Sequence, residues 1–172
     1  VSLDVAKLVP EAKVTALDPS REMLAQGADK VRAAGLDNRI TTVVGDGCAL
    51  PFDDACFDGA VVSFGIRNIP DRALALREMA RVCRPGSRVV VLELTEPRKG
   101  WLAPLARMHV HQIVPRIGAL LSGHREYRYL QRSIAAFPPP DQFLAIMHNV
   151  GFKNVRSERL SLGAVHLFVG VV

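Results

Sequence analysis

The alternation of short apolar runs with longer amphipathic runs limits most strongly how this chain can fold. Apolar and β-branched residues are concentrated at 13–17, 40–44, 57–64 and 88–94, and helical spacing of apolar side chains marks the segments between them. Such alternation predicts βαβ units that build a parallel sheet. Strands at 155–160 and 164–171 follow a helix at 141–150. We therefore expect an α/β fold, a doubly wound Rossmann-like sheet that is mostly parallel with an antiparallel C-terminal strand.

Local signals refine these boundaries. Ser20 and Asp71 are expected to cap the helices that follow them, because their side chains can accept a backbone N–H of the first turn. Arg84, Pro85 and Gly86 are expected to end the second of these helices. The strand at 57–64 is apolar enough to predict a central position with both faces covered.

Chain length and charge restrict the class of protein. A chain of 172 residues fits one domain, 1–172, with a basic and aromatic insertion or lid at about 98–136. The net charge of +5 favours anionic partners without choosing among them. Three cysteines without a CxxC pair indicate neither a disulfide framework nor a zinc site, and no apolar run could span a bilayer. A cytoplasmic protein is expected.

Polar residues at predicted strand ends are the first candidates for a ligand site. In doubly wound sheets the ligand lies outside the carboxyl ends of the strands, where Asp18, Asp46 and Ser63 are expected. The two oxygens of Asp18 match the two hydroxyls of a ribose, and Asp46 with Leu50 and Phe52 could hold an adenine ring. Both acids could instead be ordinary turn residues.

The glycine-rich loop that normally precedes such a ribose-binding acid has no place in this sequence. It is expected roughly 20 residues before the acid, and counting back from Asp18 passes Val1. We therefore expect an N-terminally truncated sequence that lacks the loop and the first strand.

Several segments resemble the ubiquinone/menaquinone biosynthesis C-methyltransferases in order and spacing. Those nearest the predicted strand ends are 14–24 (VTALDPSREML), 45–52 (GDGCALPF) and 63–68 (SFGIRN). The segment 76–93 (LREMARVCRPGSRVVVLE) resembles a second signature, from which Cys83 and Ser87 depart, and 114–118 (VPRIG) and 127–134 (YRYLQRSI) extend the likeness. The first two segments are shared by many methyltransferases, whereas SFGIRN and YRYL are narrower.

The resemblance implies S-adenosyl-L-methionine as the cofactor and a polyprenyl quinol as the methyl acceptor. It implies that Asp18 binds the ribose, that Asp46 and Gly47 flank the adenine, and that Ser63 lines the cofactor floor. No metal is implied, and His109, His111 and His124 lack the spacing of a helical ligand pair.

Methylation at a ring carbon needs stabilisation of a phenolate. Arg67, with Asn68, is the candidate for that role, although Arg67 could simply pair with an acid. Tyr127 and Tyr129 are candidates for contacts with the quinol head, or for packing of the lid.

Three alternatives remain at this point. The chain could methylate another small molecule, since one fold serves many acceptors. It could bind a ligand or partner without turnover. Nucleic-acid binding ranks last, because the basic residues are dispersed and no base-stacking motif accompanies them. Trp101, Arg107, Arg116 and Arg125 suit peripheral contact with the inner face of a membrane or a solvated surface, and a homodimer is a further expectation.

Overall fold

The computed structural model describes residues 1–96 and 124–172, with side chains of 124–128 and 162 excepted. The chain forms two compact units, Val1–Asp53 and Asp54–Val172. A single domain over 1–172 stays a prediction. Most of the expected lid at 98–136, including Trp101, His109 and His111, lies outside the described residues.

The first unit is a two-stranded parallel sheet with two helices. In chain order it contains α1 (Ser2–Leu8), β1 (Val14–Asp18), α2 (Arg21–Ala33) and β2 (Ile40–Val44). The strands run in register from Val14 opposite Ile40 to Asp18 opposite Val44. Ala6, Val31 and Ile40 form the buried core, against which Leu3, Val14 and Leu36 pack.

The second unit is a four-stranded mixed sheet. Its elements are β3 (Phe57–Ser63), a 3-10 turn (Ile66–Asn68), α3 (Arg72–Val82), β4 (Cys83–Leu94), α4 (His124–Ala135), α5 (Pro140–Val150), β5 (Lys153–Leu160), a second 3-10 turn (Ser161–Gly163) and β6 (Val165–Val171). The strand order is β3-β4-β6-β5, with β3 parallel to β4 and the other pairs antiparallel. The predicted α/β class with antiparallel C-terminal pairing is confirmed.

Aromatic packing forms the centre of this second unit. The ring of Phe143 lies 5.0 Å from that of Phe137 and 4.7 Å from that of Phe168, centroid to centroid. Both Phe143 and Phe168 are fully buried, as are Leu76 and Met147. The core therefore joins α3 and α5 to the face of β6.

Both predicted helix caps are present. Ser20 Oγ accepts the backbone N–H of Met23 at 3.2 Å, and Asp71 Oδ1 accepts that of Leu74 at 2.8 Å. Each bond satisfies one of the N–H groups that the first turn of a helix leaves open.

Two sequence predictions differ from the structure. The strand predicted to be central, β3, is an edge strand of its four-stranded sheet, and Val61 is 48% exposed. Apolar composition predicts burial but not which strands pair. The residues expected to end α3, Arg84–Gly86, lie inside β4 instead. The helix ends at Val82, and Gly86 N–H donates to Val172 O at 3.0 Å while Val172 N–H donates to Ser87 O at 3.0 Å. These bonds pair Gly86 and Ser87 with Val172, so β4 continues past Pro85.

Among the helices of the described residues, none has the length and apolar character needed to cross a bilayer.

Candidate functional site

Two carboxylates lie at the same end of the first unit's sheet. Asp18 is the last residue of β1 and is paired with Val44, the last residue of β2. The ladder continues one step further, since Gly45 N–H donates to Asp18 O at 3.3 Å. Asp46 follows immediately. The parallel register therefore brings the two predicted cofactor-binding acids to adjacent strand ends.

Each acid is fixed by one of its own oxygens. Asp18 Oδ1 accepts the N–H of Ser20 at 2.8 Å, and Asp46 Oδ1 accepts the N–H of Cys48 at 2.9 Å. These are the local bonds expected of turn residues. In both side chains Oδ2 accepts no bond from a described residue, so the turn geometry orients each acid and leaves one oxygen for a ligand.

Backbone at this edge is closely packed. A Cβ at Gly45 would lie 2.7 Å from Leu17 Cδ1 and 3.3 Å from Pro51 Cδ, so glycine lets the two strand ends approach. Gly47 lies in the turn that follows, which Ala49 N–H closes on Asp46 O at 3.1 Å. The predicted Asp46–Gly47 pair thus forms a compact polar turn.

The second unit places the other candidates around the end of β3. Ser63 is the last residue of this strand, opposite Leu92 of β4. Phe64 follows in the left-handed region, with φ of 55°, and its N–H donates to Leu92 O at 2.8 Å. Its side chain is 41% exposed. A bulky residue in this conformation is strained, and such strain is concentrated at functional sites.

Arg67 is held on several sides. Its Nη1 donates to Glu93 Oε1 at 2.7 Å and to the carbonyl oxygen of Phe64, and its Nε donates to Ser133 Oγ at 3.3 Å. The side chain is 10% exposed, whereas that of Glu93 is fully buried. Arg67 therefore pairs with an acid, as one of its two interpretations expected. Its catalytic role stays a prediction.

One edge of the same guanidinium remains available. Nε and both hydrogens of Nη1 have acceptors, but no described residue accepts a bond from Nη2. Nη2 is thus the part of Arg67 that could donate to a ligand.

Asn68 and Tyr129 are brought together. Tyr129 Oη donates to Asn68 Oδ1 at 3.2 Å, which leaves the amide hydrogens of Asn68 for another acceptor. Tyr129 is 61% exposed. Ser133, one helical turn after Tyr129 on α4, accepts a hydrogen bond from Arg67. One face of α4 therefore contacts the turn Ile66–Asn68. The side chain of Tyr127 lies outside the described residues.

Glu93 and Ser133 were not singled out by the sequence analysis. Both lie in segments of the resemblance, yet their partner Arg67 is distant along the chain. A charged residue near the end of an otherwise apolar strand is a signal that could have found Glu93, because buried carboxylates are paired.

Other reactive side chains do not form a second site in the described part of the chain. No cluster of metal-ligating residues is present there. Burial raises the pKa of the Cys83 thiol, with smaller contributions from Cys56 and Asp58. A buried thiol with a raised pKa stays protonated and is a poor nucleophile.

The whole chain, residues 1–172, matches the model of the ubiE/COQ5 methyltransferase family. The chain belongs to this family. It is 40% identical over 171 residues to the ubiquinone/menaquinone biosynthesis C-methyltransferase UbiE of Geotalea daltonii, covering 99% of this chain and 73% of that protein. The chain is also 39% identical to the demethylmenaquinone methyltransferase of Thermus thermophilus, and the match covers 99% of this chain and 76% of that protein. The predicted family is confirmed.

Solved structures with the same fold are more distant in sequence. A SAM-dependent methyltransferase from Aquifex aeolicus superposes with a TM-score of 0.67 at 17% identity, covering 99% of this family member and 75% of that chain. Phosphoethanolamine N-methyltransferase 2 of Haemonchus contortus, in complex with S-adenosyl-L-methionine, superposes with a TM-score of 0.70 at 17% identity. The superposition covers 98% of this chain and 45% of that chain. The [4+2]-cyclase SpnF gives 0.67 at 20% identity, with 93% and 50% covered. The methyltransferase fold is confirmed, and the chain spans about half to three quarters of the length of these structures.

Asp18 and Asp46 lie in the first unit, and Ser63, Arg67, Asn68 and Tyr129 lie in the second. That all of them serve one cofactor and one substrate stays a prediction.

Proposed function

We propose that this chain is an S-adenosyl-L-methionine-dependent C-methyltransferase that methylates a ring carbon of a polyprenyl quinol. The main support is the match of residues 1–172 to the ubiE/COQ5 methyltransferase family. Relatives named ubiquinone/menaquinone biosynthesis C-methyltransferase and demethylmenaquinone methyltransferase support a quinone-type acceptor. The proposed acceptor is either a demethylmenaquinol or a 2-methoxy-6-polyprenyl-1,4-benzoquinol.

The strand ends of the first unit fit the nucleoside part of the cofactor. Oδ2 of Asp18 can accept a bond from a ribose hydroxyl, because Oδ1 is already used to fix the side chain. Asp46 is oriented in the same way and can accept from the amino group of adenine. Gly47, beside Asp46, is proposed to flank the adenine. Ser63 is proposed to contact the cofactor as well, with its hydroxyl as donor or acceptor.

The turn Ile66–Asn68 carries groups suited to the acceptor. When bound, the cofactor supplies an electrophilic methyl group on sulfur. The two hydrogens on Nη2 of Arg67 can donate to the oxygen of a phenolate, directly or through a water, and so stabilise the charge that activates the ring carbon. The free amide hydrogens of Asn68 can assist, while Tyr127 and Tyr129 are proposed to contact the quinol head. The ring carbon would form a bond to the methyl carbon as the carbon–sulfur bond breaks, S-adenosylhomocysteine would leave as a neutral thioether, and the ring proton would pass to solvent water.

Binding of the cofactor is tested by calorimetric titration of the 172-residue chain with S-adenosylhomocysteine. Asp18→Asn is expected to weaken binding at least about tenfold, because a charged acceptor for ribose hydroxyls is lost. Asp29→Asn is the matched control, since Asp29 pairs with Arg32 on the exposed surface of α2. Equal affinity of Asp18→Asn and wild type would contradict the assignment of Asp18.

Turnover is tested with short-chain analogues of both quinols and radiolabelled methyl donor. Wild type is expected to label one of them at a ring carbon. Arg67→Lys keeps a cation opposite buried Glu93, so it is expected to fold, to bind S-adenosylhomocysteine normally and to lose most of its kcat. Full activity of Arg67→Lys would remove Arg67 from the mechanism.

Two other functions are distinguished by the same assays. Binding of S-adenosylhomocysteine without label transfer to any quinol would support the alternative of a non-catalytic binding module. Transfer to a different small molecule would support a methyltransferase of other specificity. Peripheral membrane contact and a homodimer are also proposed, and flotation with anionic vesicles and light scattering would test them.

A further inference from the structure

Glu93 is the only fully buried carboxylate in the described part of the chain, and it lies beside the end of β4. The strand is otherwise apolar in this region, with Val89 and Val91 fully buried. A buried carboxylate is retained at a cost in solvation, which only directed hydrogen bonds or an opposite charge can offset.

Among the described residues, Glu93 accepts hydrogen bonds from the turn Ile66–Asn68 and from its own strand. Oε1 accepts from Arg67 Nη1 at 2.7 Å and from the N–H of Leu94 at 2.7 Å. Oε2 accepts the backbone N–H of Arg67 at 3.2 Å. Glu93 therefore binds the backbone and the guanidinium of the same residue. One carboxylate thus fixes both the turn and the direction in which the arginine side chain points.

We propose that Glu93 is a positioning residue for methyl transfer. It acts through Arg67: the bonds to the backbone N–H and to Nη1 leave Nη2 as the edge of the guanidinium that can meet the acceptor oxygen. The same bonds hold Asn68, the next residue, in place for its contact with Tyr129. This inference rests on the function proposed above.

Neighbouring contacts support an orienting role. Arg72 Nη2 donates to Arg67 O at 3.1 Å, and the guanidinium of Arg72 lies over the ring of Phe137, 5.6 Å from its centroid. The turn is thus held from β4 by Glu93 and from α3 by Arg72. Within the described part of the chain, Glu93 is the only charged residue paired with the guanidinium of Arg67, so its loss should affect the direction of that side chain most.

Replacing Glu93 by glutamine tests the proposal. Glu93→Gln keeps the shape and one acceptor oxygen, but it puts an NH₂ group against an N–H donor of Arg67 and removes the counter-charge. The expected result is a fall in kcat of about 100-fold, the loss typical of a misplaced reacting group. The affinity for S-adenosylhomocysteine and the KM for the methyl donor should stay within about twofold. Glu78→Gln, which weakens the ion pair of Arg81 on α3, is the matched control and should keep the wild-type kcat.

A double variant separates positioning from general stability. If Glu93 acts through Arg67, Glu93→Gln should lower kcat much less in the Arg67→Lys background than in wild type. Glu93→Asp keeps the charge but is one methylene shorter, so it should recover part of the lost kcat. Should Glu93→Gln fail to fold, Glu93→Asp decides, because a wild-type kcat in that variant overturns the proposal.

The outcomes also separate this inference from the proposed function. An inactive wild type would contradict the proposed function itself. An active wild type together with Glu93→Gln at wild-type kcat would overturn only the role of Glu93. Equal fractional losses in both backgrounds would likewise overturn it, because Glu93 would then act independently of Arg67.

Discussion

Three of the predicted site residues each combine a structural hydrogen bond with polar atoms that could bind a ligand. Asp18 and Asp46 each accept a turn hydrogen bond with Oδ1, and Arg67 donates three of its five guanidinium hydrogens. No described residue bonds to Oδ2 of either acid or to Nη2 of Arg67. The turn and ligand interpretations of these residues are therefore compatible rather than exclusive. A side chain fixed by its own backbone loses less entropy when a ligand binds.

Gly45 offers a test of how closely the two strand ends must approach. Gly45→Ala would place a methyl group 2.7 Å from Leu17 Cδ1, and the resulting strain is expected to lower the free energy of unfolding by about 1–3 kcal/mol. It should also weaken S-adenosylhomocysteine binding, because Asp46 is adjacent. Urea unfolding and calorimetry would measure the two effects.

Gly27 provides the control for this substitution. It lies within α2, and a Cβ there would meet no atom within 4 Å. Gly27→Ala is expected to raise stability by about 1 kcal/mol, since alanine is the better helix former. A Gly45→Ala protein as stable as Gly27→Ala would show that Leu17 yields easily and that the contact is unimportant.

At the scale of whole elements, a buried polar pair joins the start of β6 to the residue that follows β4. Thr95 Oγ1 donates to Gly163 O at 3.1 Å, so its single hydrogen is used and it must accept from His166 Nδ1 at 2.7 Å. Burial, and then the charge of Arg159, lower the pKa of His166. The folded protein therefore favours the neutral imidazole with its hydrogen on Nδ1.

Stability should depend on pH through this histidine. The unfolded chain takes up a proton on this histidine more readily than the folded protein, because folding lowers the pKa of His166. The contribution of neutral His166 to the free energy of unfolding is therefore present above its ordinary pKa of 6.5. It is lost as the pH falls from there through the lower pKa of the folded protein. The free energy of unfolding of the wild type is expected to fall between about pH 7.5 and about pH 5.5, and that of His166→Gln is expected to fall less. Urea titrations at the two pH values would measure both. His148→Gln, at an exposed position on α5, controls for removal of a histidine. An unchanged pH dependence in His166→Gln would contradict this account.

The elements differ in how far the sequence predicts them. Ser20 and Asp71 were predicted correctly as caps because a cap is a local interaction over three residues. The edge position of β3 and the continuation of β4 through Pro85 could not be predicted in this way, because both depend on pairing with distant segments. The partner of Arg67 was missed for the same reason: Glu93 is 26 residues away.

At the scale of the whole molecule, each unit has buried apolar residues of its own. That of Val1–Asp53 is small, with Ala6, Val31 and Ile40 as its buried apolar residues. That of Asp54–Val172 contains a cluster of phenylalanines and two fully buried valines of β4. A small core stabilises a unit weakly, so local opening should be easier in the first unit.

Hydrogen exchange followed by mass spectrometry tests this difference. Peptides from β1 and β2 are expected to exchange faster than those from β4 and β6. Val31→Ala should accelerate the former by destabilising the first unit by about 2 kcal/mol, whereas Val89→Ala should act on the second. S-adenosylhomocysteine should slow exchange around Asp18 and Asp46. Uniform acceleration of both units by Val31→Ala would show that they open together.

The left-handed backbone of Phe64 has a consequence for attempts to make this protein more robust. Glycine or asparagine would relax that torsion and raise the melting temperature, so a screen for thermal tolerance would select them. The same replacements would remove an exposed aromatic ring and make the Phe64 carbonyl, which accepts a hydrogen bond from Arg67, less rigidly held. Variants selected for a higher melting temperature at this position should therefore have a lower kcat.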